Sequence, residues 1–293
     1  METEKKNLRS LGTHTGRFHA DEVTACALLI FFDLIDKDKI IRTRDLSKLS
    51  KCEYICDVGG VYDPKRKMFD HHQVDYDGTL SSAGMVLKYL LEIGKLTREE
   101  YNFFNESFVH GVDANDNGKM EVPAGYCIFS EIVDSFSPIK YDAGLEEQDR
   151  GFYSALEFVL GYLDRIYNHF KYMLSFRPAV ENAMKKYDYC LVFEQIGPWL
   201  ENFFELGGEN HSAKFVIMPV GDNWKLRGVP PNYSRKMEVR EPLPKEWAGL
   251  MGKDLQKQSG IEGSVFCHKG RFISVWKTKE DAMQALEYIR NAS

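Results

Sequence analysis

Four stretches of the chain carry side chains that hold divalent metals: His14-Thr-Gly-Arg-Phe-His19-Ala-Asp21-Glu22, Asp57-Val-Gly-Gly, Asp70-His71-His72 and Val112-Asp113-Ala-Asn-Asp116-Asn-Gly118. Imidazole mixed with carboxylate suits Mn2+, Zn2+, Fe or Co better than Ca2+. Two such ions ~3.5–4 Å apart activate a water and clamp a phosphoryl group during in-line displacement. A carboxylate shared between them is then expected, and Asp57, midway along the constellation, is the candidate. Each motif alone also has a structural reading. Asp57 before Gly-Gly could shape a turn, and Asp21 could sit in the first turn of a helix. His71-His72 could be a solvated pair, and Asp113 and Asp116 could shape a turn at Asn117-Gly118. Recurrence of the same ligand types at successive places favours the metal site.

Gathering these residues requires strands that end on one side of a sheet. Residues 8–14 can form a strand ending at Gly12–His14, and Ala20 to Leu34 has apolar residues at helical spacing with Asp21 and Glu22 in its first turn. Residues 39–44 and 53–58 are short β-rich runs, the second stopped by Gly59-Gly60. KMFD leads into His71-His72, Ser81-Ser82 opens a helix through Ile93, and Thr97 with Glu100 forms a capping box. Such alternation predicts an α/β fold, a parallel sheet with helices on both faces. Ligands of open parallel sheets bind outside the carboxyl ends of the strands, where His14, Asp57 and Asp70 fall.

From Glu146 to Tyr187 the pattern is helical, broken by Pro178, and closes a first domain at residues 1–188. Strand-like runs CLVFEQI, AKFVIMPV, NWKLRGVP and SVFCHKGRFISVW and a helix-patterned tail predict a smaller C-terminal α/β domain at 189–293. Charge is divided unevenly. The whole chain carries −6, but residues 223–293 hold 13 Lys and Arg against 8 Asp and Glu, which leaves −11 for the rest. Lys225, Arg227, His268, Lys269 and Arg271 lie on or beside strands of that basic segment, where the plain reading is a solvated face. Ser81-Ser82 opens a helix whose free N–H groups suit either a phosphate or simple capping. Trp199, Trp224, Trp247 and Trp276 are read as packing residues.

Composition narrows the class. With 43% hydrophobic and 28% charged residues, the 293-residue chain is globular and long enough for two cores. It has no apolar run near the ~20 residues that span a bilayer. The opening METEKKNLRS lacks the apolar stretch of a signal peptide, so a cytoplasmic protein with no membrane partner is expected. The six cysteines form no CxxC pair and read as buried thiols.

Asp70-His71-His72 resembles the triplet that names the DHH phosphoesterase superfamily. GTHTGRFHADE (12–22), IRTRD (41–45), DVGGVYDPKRKMFDHHQ (57–73), LSSAG (80–84), VDANDNG (112–118), LPKEWAGL (243–250) and SGIEGSVFCHKGRF (259–272) together resemble one branch of it, the melanocyte-proliferating-gene-one exonuclease family. The match runs through both domains. It implies a DHH-type catalytic domain and a two-metal phosphodiesterase, a 3′→5′ exonuclease on RNA or short single-stranded nucleic acid. The implied cofactors are two divalent ions, Mn2+ first, with Mg2+, Co2+ and Zn2+ as alternatives. His14, His19 and Asp57 would hold one ion; Asp21, Asp57, His71 and Asp113 would hold the other, with Asp116 the alternative to Asp113. His72 would face the scissile phosphate while Asp70 orients the neighbouring histidines, so Asp57, Asp70 and His72 form the catalytic set. Ser81, Ser82, Lys225, Arg227, His268 and Arg271 become the substrate-binding set. The superfamily has an Asp near the place of His19, so the first metal site here is less anionic. Two other functions compete: hydrolysis of a small phosphate compound or dinucleotide, and a non-catalytic nucleic-acid-binding module. An oligomer is compatible with either domain.

Overall fold

The computed structural model describes residues 6–292. Contacts divide the chain into two compact units, one running to Tyr167 and the other from Asn168 onward.

The first unit contains strands β1 (Asn7–Thr13), β2 (Ile40–Arg42), β3 (Cys52–Cys56), β4 (Tyr62–Asp63) and β5 (Met68–Phe69) in one sheet of order β2-β1-β3-β5-β4. All neighbours are parallel except β4 and β5. The chain leaves β1 for β2 on one side and returns to β3 on the other. The sheet therefore has a topological switch point between β1 and β3, where Gly12 sits opposite Ile55. Gly12 has no Cβ because one there would lie 2.6 Å from the Leu49 side chain.

Helices α1 (Ala20–Phe31), α2 (Leu46–Leu49), α3 (Ser82–Glu92), α4 (Arg98–Phe104), α5 (His110–Asp116), α6 (Phe129–Asp134) and α7 (Leu145–Lys186) complete this stretch. The main core lies on one face of the sheet. There Leu11, Tyr54 and Cys56 meet Val23, Leu28 and Leu29 of α1, Val86 and Leu90 of α3, and Phe152 and Leu156 of α7. Cys52 and Ile55 pack instead with Leu49 of α2 in a separate small cluster. The Thr97–Glu100 capping box forms as its sequence predicts.

Helix α7 differs from the expectation of a break. It runs unbroken through Pro178 for 42 residues. Proline removes one helical hydrogen bond, but Phe176, Val180 and Ala183 around it are buried in a core, which holds the helix together across the gap. Those contacts belong to the second unit. The division at Tyr167 consequently falls inside α7, whereas the sequence places it after residue 188.

The second unit adds β6 (Cys190–Val192), α8 (Trp199–Glu205), β7 (Phe215–Val220), β8 (Asn223–Gly228), α9 (Gly252–Ser259), β9 (Ser264–Cys267), β10 (Ile273–Trp276) and α10 (Lys279–Ala292). Its sheet has the order β6-β7-β8-β10-β9, parallel only at β6–β7. One face buries Phe215, Ile217, Leu226, Cys267 and Trp276 with Leu255 of α9 and Ala282 and Leu286 of α10. On the other, Leu191, Val216 and Met218 pack with α8 and the end of α7. Trp199, Trp247 and Trp276 are buried, as their reading as packing residues requires.

Candidate metal centre

Strands β1, β3 and β5 end at the same edge of the first sheet and hand over directly to His14, Asp57 and Asp70-His71-His72. Asp57 takes φ +54°, in the left-handed region, and Gly59 and Gly60 follow at +99° and +67°. Asp tolerates that region better than most residues, at a cost of about 1–3 kcal/mol that the sheet must offset. The turn presents the Asp57 carboxylate to imidazoles on both sides. Asp57 Oδ2 lies 3.2 Å from His14 Nε2, while Oδ1 lies 3.5 Å from His71 Nε2 and 3.3 Å from His72 Nδ1.

Helix α1 supplies a second group. His19 is its N-cap and Glu22 its third residue, with Glu22 Oε2 accepting from the His19 backbone N–H at 2.9 Å. The other Glu22 oxygen lies 3.0 Å from His14 Nε2. Asp21 is fully buried beside them, and its Oδ2 is 4.0 Å from His71 Nε2. From the end of α5, Asp116 Oδ2 approaches His71 Nε2 to 3.1 Å. Ligand atoms of His14, His19, Glu22 and Asp57 all lie within 4.8 Å of one another, as do those of Asp57, His71 and His72, and of His19, Asp21 and Asp116.

The unpaired atoms say what these groups fit. Both Asp21 oxygens, Glu22 Oε1, Asp57 Oδ1 and His71 Nε2 are buried with no hydrogen-bond partner. Their close approaches lack hydrogen-bond alignment, so several polar atoms converge on one space without satisfying one another. Unpaired buried polar atoms cost about 1–3 kcal/mol each, and a divalent cation is the partner that this donor set fits.

The electrostatics agree. Burial works against charge on His14, yet Asp57 and Glu22 hold its pKa up to about 10. His71 is likewise raised to about 10, burial being outweighed by Asp116 and Asp57. Asp57 is lowered to about 2 because His14 and His71 more than offset its burial. Asp21 is pushed up by burial and by Asp57, Glu22 and Asp116. Crowded carboxylates raise Asp21 and the two imidazoles, and those imidazoles in turn lower Asp57.

Asp70 is placed as an orienting group. Its Oδ2 accepts from Gly60 N–H at 2.6 Å, and Oδ1 accepts from His72 N–H at 3.1 Å and faces His72 Nδ1 at 2.8 Å. That contact requires the proton on Nδ1, which leaves Nε2 of the largely exposed His72 ring for other work. A cavity of about 510 Å³ lined by His14, His19, Asp57, Asp70 and His72 also has Arg17 and Arg44 in its wall.

Two expectations are corrected. Asp113, preferred over Asp116 as a ligand, turns away from the imidazoles. Its Oδ1 accepts from Ser81 N–H (3.0 Å), Ser81 Oγ (2.7 Å) and Gly84 N–H (3.0 Å), capping α3 from outside. Gly84 is needed for that approach, since a Cβ there would lie 2.1 Å from Asp113 Oδ2. Burial raises the Asp113 pKa against the pull of those donors. Ser81 and Ser82 were expected to grip phosphate, but both are fully buried. Ser81 serves Asp113, and Ser82 Oγ donates to Phe69 O at 2.8 Å, so both hydroxyls are engaged inside the fold.

Sequence reasoning left Glu22, Arg17 and Arg44 out of its site set. The legible signal for Glu22 was its position three residues after His19, the spacing of a capping box. Arg17 and Arg44 lie within two of the family-like stretches but offered no distinguishing pattern.

In the second unit, Lys225 and Arg227 project from the same side of β8. Lys225 is opposite Val275, itself opposite Phe266; Arg227 is opposite Ile273, whose carbonyl accepts from His268 N–H. This half of the sheet face is only half-buried, while Leu226, Ser274 and Cys267 on the reverse are enclosed. Burial lowers the pKa of Lys225 and of Arg227, and among the described residues neither has an ion-pair partner. The His268 ring lies tilted against Phe272, centroids 4.4 Å apart, and Arg271 Nη1 donates to Leu243 O at 3.3 Å.

A mostly parallel α/β sheet with paired His/Asp clusters at its switch point defines a class, the metal-dependent phosphoesterases. Comparison with known proteins carries this to a family. The MYG1_exonuc family model, described as an uncharacterised protein family (UPF0160), matches residues 10–287. The chain belongs to this MYG1 exonuclease family. It is 53% identical over 281 residues to the MYG1 protein of Chlamydia muridarum, covering 96% of each chain. It is 55% identical to the MYG1 protein of Chlamydia pneumoniae, covering 95% of each. The MYG1 exonuclease of Homo sapiens is 31% identical over 314 residues, 93% of this chain and 83% of that one. No helix among the described residues is long and apolar enough to cross a membrane.

Proposed function

We propose that this protein is a 3′→5′ exonuclease that releases nucleotides from single-stranded RNA or short oligonucleotides with the help of two divalent ions, Mn2+ foremost. The observation that carries the phosphodiesterase reading is the convergence of unpaired buried atoms from Asp21, Glu22, Asp57 and His71. The RNA substrate and the polarity rest on the resemblance of the whole chain to exonucleases. The choice of Mn2+ rests on the mixed imidazole and carboxylate donors.

In this reading His14, His19, Glu22 and Asp57 hold one ion, and Asp21, Asp57, His71 and Asp116 hold the other. Bound ions supply Lewis acidity, which acidifies water and offsets charge on the phosphoryl oxygens. The protein's part is to fix these ligands on strand and helix ends so that their lone pairs converge once the imidazole protons are displaced. His72, with Nδ1 fixed by Asp70, leaves Nε2 to act on the leaving oxygen. Arg17 and Arg44 would meet phosphate at the cavity wall, and Lys225 and Arg227 give the second unit cations of its own for a nucleic-acid backbone.

Replacing Asp57 tests the core of this reading. Asp57→Ala removes the carboxylate common to both ions, so it is expected to lose at least one metal equivalent and essentially all hydrolysis while remaining folded. Metal analysis, an end-labelled RNA assay and circular dichroism measure the three quantities. Unimpaired hydrolysis by the folded variant would overturn the two-metal assignment. A run of mononucleotides from long RNA separates an exonuclease from an enzyme of small phosphate compounds.

A further inference from the structure

Beside the metal centre, the first unit has a smaller cavity of about 240 Å³ that the proposed chemistry does not use. It is continuous in its walls with the metal-lined space. Arg17 lines both this cavity and the one bearing His14 and Asp57, and Asp134 lines both it and the one bearing Asp21, His71 and Asp116. Its volume is below the roughly 300 Å³ at which pockets for drug-sized molecules begin, so it suits one ring system rather than a chain of them.

The lining has two parts. Ile139 and Tyr141 are almost wholly exposed, at 98% and 96%, on the loop that joins α6 to α7. Apolar groups of that size so open to water offer a face for a flat ring. Deeper in, Gln148 from the first turns of α7 is 9% exposed with its Oε1 unpartnered, and Ser137 Oγ is also buried without a partner. A group bringing both hydrogen-bond donors and acceptors on one planar edge would satisfy these atoms. Asp134 adds a carboxylate that burial pushes up in pKa, against the pull of His19 and Arg17. The cavity wall is held in place from behind. Arg42 donates to Asp149 at 2.5 Å and to Gly16 O at 2.6 Å, tying α7 to the loop that carries Arg17.

We propose that this side pocket receives the nucleobase of the terminal nucleotide, with Tyr141 against its face and Gln148 and Ser137 at its edge. The inference rests on the reading of the metal centre as a site for a nucleotide phosphate. Arg17, at the shared wall and without an ion-pair partner among the described residues, then lies between the phosphate and the base. Recognition by stacking and by an adaptable amide tolerates more than one base.

The test uses the full chain loaded with Mn2+ and measures binding of the four nucleoside monophosphates against ribose 5-phosphate by calorimetry. Nucleotides are expected to bind about ten-fold or more tightly than the base-free phosphate. Tyr141→Ala is expected to remove most of that margin and Tyr141→Phe to keep it. Because Tyr141 is exposed, neither substitution threatens the fold. Equal binding of nucleotide and ribose 5-phosphate by the unaltered protein overturns the pocket, as does a Tyr141→Ala effect that weakens both ligands alike. Oligonucleotides ending in an abasic or an intact residue separate this inference from the exonuclease reading. Trimming both at one rate overturns the pocket and leaves the exonuclease. A base-dependent binding margin without any trimming supports the pocket and removes the exonuclease.

Discussion

Asp57 shows how one carboxylate can order its surroundings. It ends a strand in a left-handed turn and faces His14, His71 and His72 at 3.2–3.5 Å. Without metal, His14 and His71 hold protons to about pH 10. The sign follows. Raised imidazole values stabilise the metal-free fold fully below pH 6.5, and that contribution is lost as pH climbs towards 10. The lowered value of Asp57 works the other way, stabilising above about pH 4 and failing as pH falls towards 2. Metal must displace the imidazole protons, so its affinity rises with pH between 7 and 10 while the metal-free protein loosens. Calorimetric Mn2+ titrations at pH 7 in buffers of different ionisation enthalpy should register proton release; its absence would remove these histidines as ligands. At this scale the sequence named His14, His19, Asp21, Asp57 and His71, all of which the structure gathers, because ligand types at strand ends are visible as letters. It could not tell Asp113 from Asp116, since residues three apart on a helix share a face and either could reach the same place.

That choice belongs to the elements. Helix α3 begins with Ser81, whose own side chain does not cap it, and Asp113 does so from α5. Asp113→Ala should leave buried donors unpaired and destabilise the first unit by about 2 kcal/mol, with metal content little changed. Asp116→Ala should reverse the pattern, losing metal while urea unfolding of the metal-free protein stays close to the original. If Asp113→Ala alone loses metal, the assignment of Asp116 falls. Caps formed within one helix were legible, as Thr97 and Glu100 show, because both partners lie in one short stretch. A cap reaching from another helix leaves no local trace. For the same reason Pro178 reads as a break, although tertiary burial on either side carries α7 through it.

Over the whole molecule, net charge gave the least reliable guide. A balance of −6 argues against nucleic acid, but much of the negative excess sits where cations would neutralise it, and residues 223–293 carry +5. Lys225 and Arg227 are half-buried on an open sheet face with no ion-pair partner among the described residues. If they contact a single-stranded backbone, replacing both with Gln should reduce the slope of log affinity against log salt by about 1.4. Filter binding of an uncleavable oligonucleotide across a salt series measures it, and an unchanged slope would leave that face without substrate. The α/β class and the presence of a second sheet in the C-terminal part were legible from the alternation of runs. The division inside α7 was not, because a continuous helix carries no mark of which core each turn joins.

The switch point between β1 and β3 also sets an order of events during synthesis. The proposed metal ligands emerge from the ribosome between His14 and Asp116, and the neighbour of β1 that comes first in sequence is β2. Asp57 can meet His14 only when β3 inserts along the other edge of β1, and His71 follows with β5. A nascent chain shorter than Asp116 thus presents scattered histidines and acids that any passing cation could occupy singly. Only a chain that has passed Asp116 contains the whole proposed ligand set, so a complete site requires most of the first unit.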